Sequence, residues 1–215
     1  PTTPPDQLKL LSHAFPQALA QNVALPLLLL TEPDLWAKVA SNFLIEAAAS
    51  PTLAPTLVIW LQSRAQAGHS LAPFVSLLHN EALPLEQRRA LFNAELSLAH
   101  AALRADPGRV GRSLGEDYVG PYLEAGCGVA WTRSYGGTPP LQAAPDAARC
   151  LWFLGQGVLG RVLALQSPEC PTEEVDRLLD SSSVLEATLA ARSPRLSHEA
   201  IERLLRRAQR APVAS

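Results

Sequence analysis

Apolar side chains recur at helical spacing through most of this chain. In the run 86–105, Leu91, Leu98 and Ala102 follow one another at seven and four positions, which places them on one face of an α-helix. No stretch alternates apolar and polar residues for long enough to predict a strand. The pattern therefore predicts an all-α protein of short helices that are interrupted by proline. Similar runs, rich in Ala and Leu, cover 35–49 and 147–165.

A phrase of thirteen residues occurs twice near the C-terminus. Residues 167–179 read SPECPTEEVDRLL, and residues 193–205 read SPRLSHEAIERLL, 26 positions later and with six identities. Within the N-terminal group of copies and within the C-terminal pair, successive markers are 26 to 30 positions apart. Repeats of this length are typical of stacked helical arrays. Weaker copies begin at Asn22, Ser50, Asn80 and Asp106.

Each copy has the same order of residue types. A small polar residue marks the place where one helix ends and a turn begins. A core-type residue comes three positions later, and proline or a small residue then opens the next helix. Cys170 occupies the core-type position of its copy, so we expect it to pack in the interior. The other core-type positions are Leu25, Leu53, Leu83 and Leu196.

The distribution of glycine divides the chain. Seven of the twelve glycines fall in 111–137, together with all three tyrosines and Trp131. Glycine costs a helix about 1 kcal/mol per residue relative to alanine, so this stretch predicts an irregular insertion or junction. We expect a flexible leader over 1–10, N-terminal helical repeats over 11–110, a Gly-rich irregular segment over 111–140, and C-terminal helical repeats over 141–210.

The repeated phrase resembles the variant leucine-rich repeat family, most clearly at Ser167–Leu179 and Ser193–Leu205. The resemblance covers 163–207 and, less closely, 18–61. It implies a right-handed α-solenoid of short helical repeats, related in architecture to HEAT-like arrays, with a period here of about 26–30. The family has no common catalytic residues, so the resemblance implies a protein-binding scaffold and no enzyme. The iron–sulfur segment of the family's founding member has no counterpart here.

Composition and charge limit the partners and the location that we expect for the protein. The net charge is −2 over 215 residues, which argues against electrostatic binding of nucleic acid or membrane by the chain as a whole. The longest apolar stretch, 23–30, is too short to span a bilayer. Three cysteines without C-x-x-C spacing favour a reducing, cytoplasmic location. The excess of arginine over lysine indicates a GC-rich, bacterial source.

Two groups of residues are candidates for binding. Large aromatic side chains in the non-repeat segment are typical of contact surfaces, and we expect a protein or ligand surface there. Four arginines of the last helix lie at i, i+3, i+4 and i+7, which predicts a stripe for an acidic partner or nucleic acid. The first group is Tyr118, Tyr122, Trp131, Arg133 and Tyr135. The second is Arg192, Arg195, Arg203, Arg206, Arg207 and Arg210.

The candidates for catalysis are few. Cys127 lies between glycines and would need a histidine base such as His79 or His100. Glu116 and Asp117 are a possible acid–base or metal pair. No zinc-ligand spacing and no phosphate-binding loop occurs, so we predict no metal and no cofactor.

Three functions follow from the sequence, in order of preference. The first is a non-enzymatic scaffold for a protein or peptide partner. The second is a nucleic-acid-binding solenoid that uses the C-terminal arginines with basic residues such as Arg88 and Arg89. The third is a small enzyme built on Cys127 or on Glu116 and Asp117.

Overall fold

A computed structural model describes residues 5–22, 24, 25, 27, 41–53, 55–68, 71–128 and 144–210. All regular secondary structure in this part of the chain is helical, and it contains fourteen helices and no strand. The prediction of an all-α fold is therefore confirmed. None of the described helices is long and apolar enough to cross a membrane.

The chain divides into two compact units, Pro1–Gly120 and Pro121–Ser215. The division falls inside the segment expected to be a junction. The helix Glu116–Glu124 continues through it with Pro121 in its interior. The helices that begin in the first unit are α1 Pro5–Ala14, α2 Pro16–Ala20, α3 Ser41–Ala49, α4 Pro55–Gly68, α5 Leu71–Leu78, α6 Leu85–Ala94, α7 Leu96–Ala105, α8 Pro107–Leu114 and α9 Glu116–Glu124. Those of the second are α10 Ala147–Leu154, α11 Gly157–Leu165, α12 Thr172–Leu178, α13 Val184–Arg192 and α14 His198–Arg210.

The main helix contacts within each unit join elements that are near in sequence. In the first unit, α3 packs on α2, α4 and α5, and α5 packs on α6, α7 and α8. In the second, α11 packs on α10 and α13. Each described helix thus buries its apolar side mainly against its nearest neighbours in the chain.

One turn geometry recurs at all five polar residues that open the clearer copies. In each, the side-chain oxygen accepts a hydrogen bond from the backbone N–H two residues later, at 2.8 to 3.4 Å. The backbone N–H of each polar residue also donates to the carbonyl three residues earlier, at 2.9 to 3.3 Å. Such side-chain turns are characteristic of Asn and Ser. The residues are Asn22, Ser50, Asn80, Ser167 and Ser193.

A helix begins five residues after four of these turns, namely α4, α6, α12 and α14. Pro84 and Pro171 cap two of the helices in an extended conformation, with φ of −52° and −58°. A capping residue needs no N–H for the helix, so proline is tolerated there. The prediction that a helix ends at the polar residue and another opens after the proline is confirmed at these positions.

Asp106 does not form the turn found at the five polar residues. Its carboxylate accepts from the N–H of Arg109, three residues on, at 2.8 Å, and α8 begins at the next residue. It is therefore an N-cap. The expectation of a further copy at Asp106 is wrong. A turn that the sequence pattern missed lies at Ser181, whose hydroxyl accepts from the N–H of Ser183 at 3.1 Å.

Two of the long helical runs are each divided into a pair of helices. Glu95 is extended, with φ −138° and ψ 103°, and its side chain accepts from the N–H of Ser97 to start α7. Gly155 and Gln156 separate α10 from α11. These two helices approach so closely that a Cβ on Gly160 would lie 2.1 Å from the carbonyl oxygen of Phe153. Only glycine fits there.

Two domain expectations need correction. Helix α1 begins at Pro5, within the segment 1–10 that was expected to be a flexible leader. The first half of the Gly-rich segment is helical, because α8 runs to Leu114 and α9 covers Glu116–Glu124. Gly115 separates them at φ +98°, a conformation that favours glycine. Residues 129–140 lie outside the described residues.

Candidate functional site

The two described tyrosines of the expected contact surface are buried. The hydroxyl of Tyr118 is hydrogen-bonded to the amide of Asn93, and the guanidinium of Arg89 lies 4.3 Å from the centre of its ring. Tyr122 is fully buried and meets Trp152 and Phe153 edge to face, at 5.6 and 5.2 Å between ring centres. Neither side chain is available to a partner in this structure. Trp131, Arg133 and Tyr135 lie outside the described residues.

Part of the C-terminal arginine stripe is already paired with carboxylates. Arg203 lies 3.8 Å from Asp180, and Arg206 lies 3.2 Å from Glu202 on its own helix. Arg192 and Arg195 are exposed, while the side chains of Arg207 and Arg210 lie outside the described part. Exposed pairs of this kind are weak. They nevertheless reduce the positive charge that the stripe presents.

None of the candidate residues for catalysis lies in an environment that would make it reactive. Cys127 is buried, and burial raises the pKa of its thiol to about 12, so the reactive thiolate is scarce at neutral pH. Glu116 and Asp117 are exposed in the first turn of α9, where carboxylates favour the helix dipole. Cys170 is fully buried, as its repeat position predicts. No group of three metal-binding side chains occurs among the described residues.

The structure instead brings together a basic cluster that the sequence analysis did not assemble. An open pocket of about 340 Å³ in the first unit is lined by charged and polar side chains. With His79 neutral, its three arginines and one glutamate give the lining a charge of +2 (3 − 1). We call it the arginine pocket. Its residues are His79, Glu81, Arg88, Arg109, Arg112 and Ser113.

Helix α8 supplies one wall of the arginine pocket. Val110 and Leu114 are buried, which fixes the rotation of the helix. Arg109, Arg112 and Ser113 are spaced at i, i+3 and i+4, so they lie together on the other face. The Asp106 cap holds the first turn of this short helix in place.

Helix α6 supplies the opposite basic group, Arg88. Its Nε is buried and has no hydrogen-bond partner among the described residues. An unsatisfied buried donor in a cationic side chain is costly, and a bound water or ion is one way to satisfy it. The Nε of Arg203 in the second unit is in the same condition. No described carboxylate lies within ion-pairing distance of Arg88, Arg109 or Arg112. The pocket therefore presents uncompensated donors.

His79 lines the pocket and comes just after α5. Its Nδ1 is hydrogen-bonded to the hydroxyl of Ser113. Partial burial is the main cause that lowers the pKa of His79, and the neighbouring Arg109 lowers it further. The Asp106 carboxylate opposes this shift, and Arg88 and Arg112 add to it. The ring is accordingly neutral at pH 7, and the pocket holds it next to three cations.

The Asn80 turn, which directly follows His79, is bonded to the preceding turn. The buried amide of Asn80 donates to the carbonyls of Ala48 and Ser50, at 2.7 and 2.8 Å. A second open pocket of about 380 Å³ lies along these turns and shares His79, Glu81 and Arg109 with the first. Its remaining lining is Ala49, Pro51, Ser76, Asn80 and Ala82. The two pockets are therefore adjacent, and we refer to them together as the groove.

Sequence reasoning noticed Arg88 only as a basic residue and named His79 only as a base for Cys127. The available signal was the segment DPGRVGRS at 106–113, in which an N-cap aspartate precedes two arginines one turn apart. Gly111 instead assigned the last three residues of this segment to the expected irregular segment. Comparison of the chain with protein-family models, with curated protein sequences and with solved structures finds no match.

Proposed function

We propose that this protein is a non-enzymatic scaffold of α-solenoid type that binds an acidic segment of a partner protein in the arginine pocket. The observation that carries the proposal is the convergence of Arg88, Arg109 and Arg112 from two helices without a carboxylate partner in the described residues. Such a group of fork-shaped donors recognises carboxylates and phosphates. The adjoining groove gives the rest of the segment a place to lie.

The solenoid part of the proposal is supported by local order. Five turns share one hydrogen-bond geometry, and helices pack mainly on near neighbours in sequence. Arrays of this kind present extended binding surfaces. Membership of the variant leucine-rich repeat family remains a prediction from the repeated phrase. Three free, buried cysteines fit a scaffold that works in the reducing cytoplasm.

An enzymatic role for the His79–Ser113 pair has less support. In a nucleophile–base arrangement a third group orients the base. No described carboxylate is hydrogen-bonded to the other ring nitrogen of His79. The three cations and the hydroxyl instead suit the binding of an anion.

Nucleic acid is the second candidate partner, because the C-terminal helix carries several arginines. Two of them pair with Asp180 and Glu202, and Glu81 stands inside the groove of the first unit. Neither the arginine pocket nor its neighbour has an aromatic lining residue on which a base could stack. A protein segment is therefore favoured.

The test is fluorescence anisotropy with the full chain and pools of peptides centred on Glu and Asp. We expect binding that weakens with salt and falls at least about tenfold in Arg112→Gln, since each lost fork-shaped donor removes charge-assisted hydrogen bonds. The matched control is Arg104→Gln, which removes the same charge from an exposed position on α7 outside the pocket. Equal loss in the control, or no binding by the wild type to any acidic pool, would contradict the proposal.

A further inference from the structure

We infer that the ligand of the arginine pocket is a phosphomonoester, the phosphoserine or phosphothreonine side chain of the partner segment. This inference rests on the proposed function and makes it specific. It starts from charge: the described lining carries +2, from three arginines and Glu81. A phosphorylated side chain carries about −1.5 to −2 at pH 7, so it balances that charge, whereas one carboxylate leaves half of it uncompensated.

The number and arrangement of donors point the same way. A carboxylate has two acceptor atoms, whereas a phosphoryl group has three outer oxygens. Arg109 and Arg112 come from α8, and Arg88 comes from α6, so donors reach the pocket from two helices. Guanidinium groups bind phosphate through paired, parallel hydrogen bonds. When His79 Nδ1 carries the ring proton and donates it to Ser113, the Ser113 hydroxyl can add a further donor from the same face of α8.

Two features favour a single phosphate over a phosphodiester chain. Glu81 lines both pockets, so a polyanion that follows the groove would place further phosphates beside its carboxylate. The second pocket is otherwise lined largely by small or apolar side chains, among them Ala49, Pro51 and Ala82. Such a surface suits the peptide residues that flank a phosphorylated side chain.

The pocket is also held in shape without a ligand. Asn80 joins its own turn to the carbonyls of Ala48 and Ser50, and the Asp106 cap fixes the start of α8. These bonds fix the backbone from which Arg109 and Arg112 project, so less conformational entropy is lost when a ligand binds.

The experiment compares three degenerate peptide pools that differ only at the central residue, which is phosphoserine, glutamate or serine. Affinity for the full-length protein is measured by anisotropy, with inorganic phosphate and a single-stranded oligonucleotide as competitors. We expect the phosphoserine pool to bind at least about tenfold more tightly than the glutamate pool. We expect inorganic phosphate to displace it, and the serine pool not to bind.

Substitutions test whether the preference for phosphoserine depends on the arginine pocket. We expect Arg112→Gln and Arg109→Gln each to reduce phosphopeptide affinity at least about tenfold, and Arg112→Lys to recover only part of it, because the ammonium lacks the planar fork. Arg104→Gln should leave the affinity unchanged. Circular dichroism of all four variants checks that they fold.

The outcomes separate the two proposals. If the glutamate and phosphoserine pools bind equally, the phosphate inference fails and the acidic-segment function stands. If neither pool binds, both fail. If the oligonucleotide binds more tightly than any peptide and the pocket variants weaken it, both are replaced by a nucleic-acid-binding function.

Discussion

At the scale of single residues, Arg88 and Arg89 show how neighbours on one helix take different roles. Arg89 donates from its Nε to the carbonyl of Leu114 at 3.0 Å and stacks on Tyr118. It therefore binds the C-terminal end of α8, and its role is structural. Arg88, one position earlier, lines the arginine pocket with an unsatisfied Nε. Composition and net charge cannot distinguish such residues, since the distinction depends on which helix packs opposite each of them.

His79 leads to a prediction about pH. Burial and Arg109 hold the pKa of His79 in the folded protein below the 6.5 of the free side chain, so the unfolded chain takes up the proton first as pH falls. Stability must then decline as pH falls through 6.5 and towards the folded value. We expect His79→Gln to flatten this part of the pH dependence. The measurement is urea denaturation of both proteins between pH 8 and pH 5.

Other groups titrate in the same range, so the informative quantity is the difference between His79→Gln and wild type. The charged groups that face His79 are Arg88, Arg109, Arg112 and Asp106, and the substitution leaves all of them in place. His198→Gln is the control, because His198 is exposed on α14. An unchanged slope in His79→Gln would show that His79 titrates alike in the folded and unfolded states.

At the scale of elements, the sequence predicted the starts and ends of helices where a local side chain decides them. Ser167 and Ser193 form the turns that their phrases indicate, because the bond joins residues two apart. The division of 86–105 at Glu95 was missed, since glutamate is a good helix former and only its extended backbone reveals the cap. The Gly-rich prediction failed over 111–124 because packing of Val110, Leu114 and Tyr118 outweighs the intrinsic cost of glycine.

The candidate site was beyond sequence reasoning for a related reason. Arg109, Arg112 and Ser113 share a helical face that can be read from their spacing. Arg88 lies more than twenty positions earlier, and His79 belongs to a turn between two other helices. Their meeting depends on α6 and α8 packing together. Spacing along one helix carries no information about that contact.

The turn at Asn80 gives a prediction about stability. Asn80→Ala removes three side-chain bonds, one within its turn and two to the carbonyls of Ala48 and Ser50, which we expect to cost about 2–4 kcal/mol. Asn22→Ala is the matched control. Asn22 makes the same bond within its turn but is exposed, so its loss should cost only about 0.5–1 kcal/mol.

Chemical denaturation of both variants measures the two costs. Equal losses would mean that the bond within the turn matters and that the link between successive turns does not. A loss confined to Asn80→Ala would instead identify the link from each turn to the preceding one as the stabilising feature. Ser167 supports the second expectation, because its hydroxyl donates to the carbonyl of Pro145 at 2.6 Å across a similar sequence distance.

At the scale of the whole molecule, the two candidate binding regions belong to different units. The arginine pocket is lined entirely by residues of Pro1–Gly120, and the C-terminal stripe lies in Pro121–Ser215. The net charge of −2 conceals this division, because acidic residues elsewhere balance both basic regions. Charge reversal in one unit at a time therefore assigns a ligand to its site.

We expect Arg195→Glu/Arg206→Glu to leave phosphopeptide affinity unchanged at physiological salt, because every group that lines the pocket remains in place. Arg109→Glu/Arg112→Glu changes the net charge by the same amount and should abolish binding. The comparison is made by anisotropy at two salt concentrations, since a nonspecific effect of net charge is screened by salt in both variants. A large loss in the C-terminal variant at both concentrations would place the stripe in the binding surface and would favour nucleic acid over a phosphorylated segment.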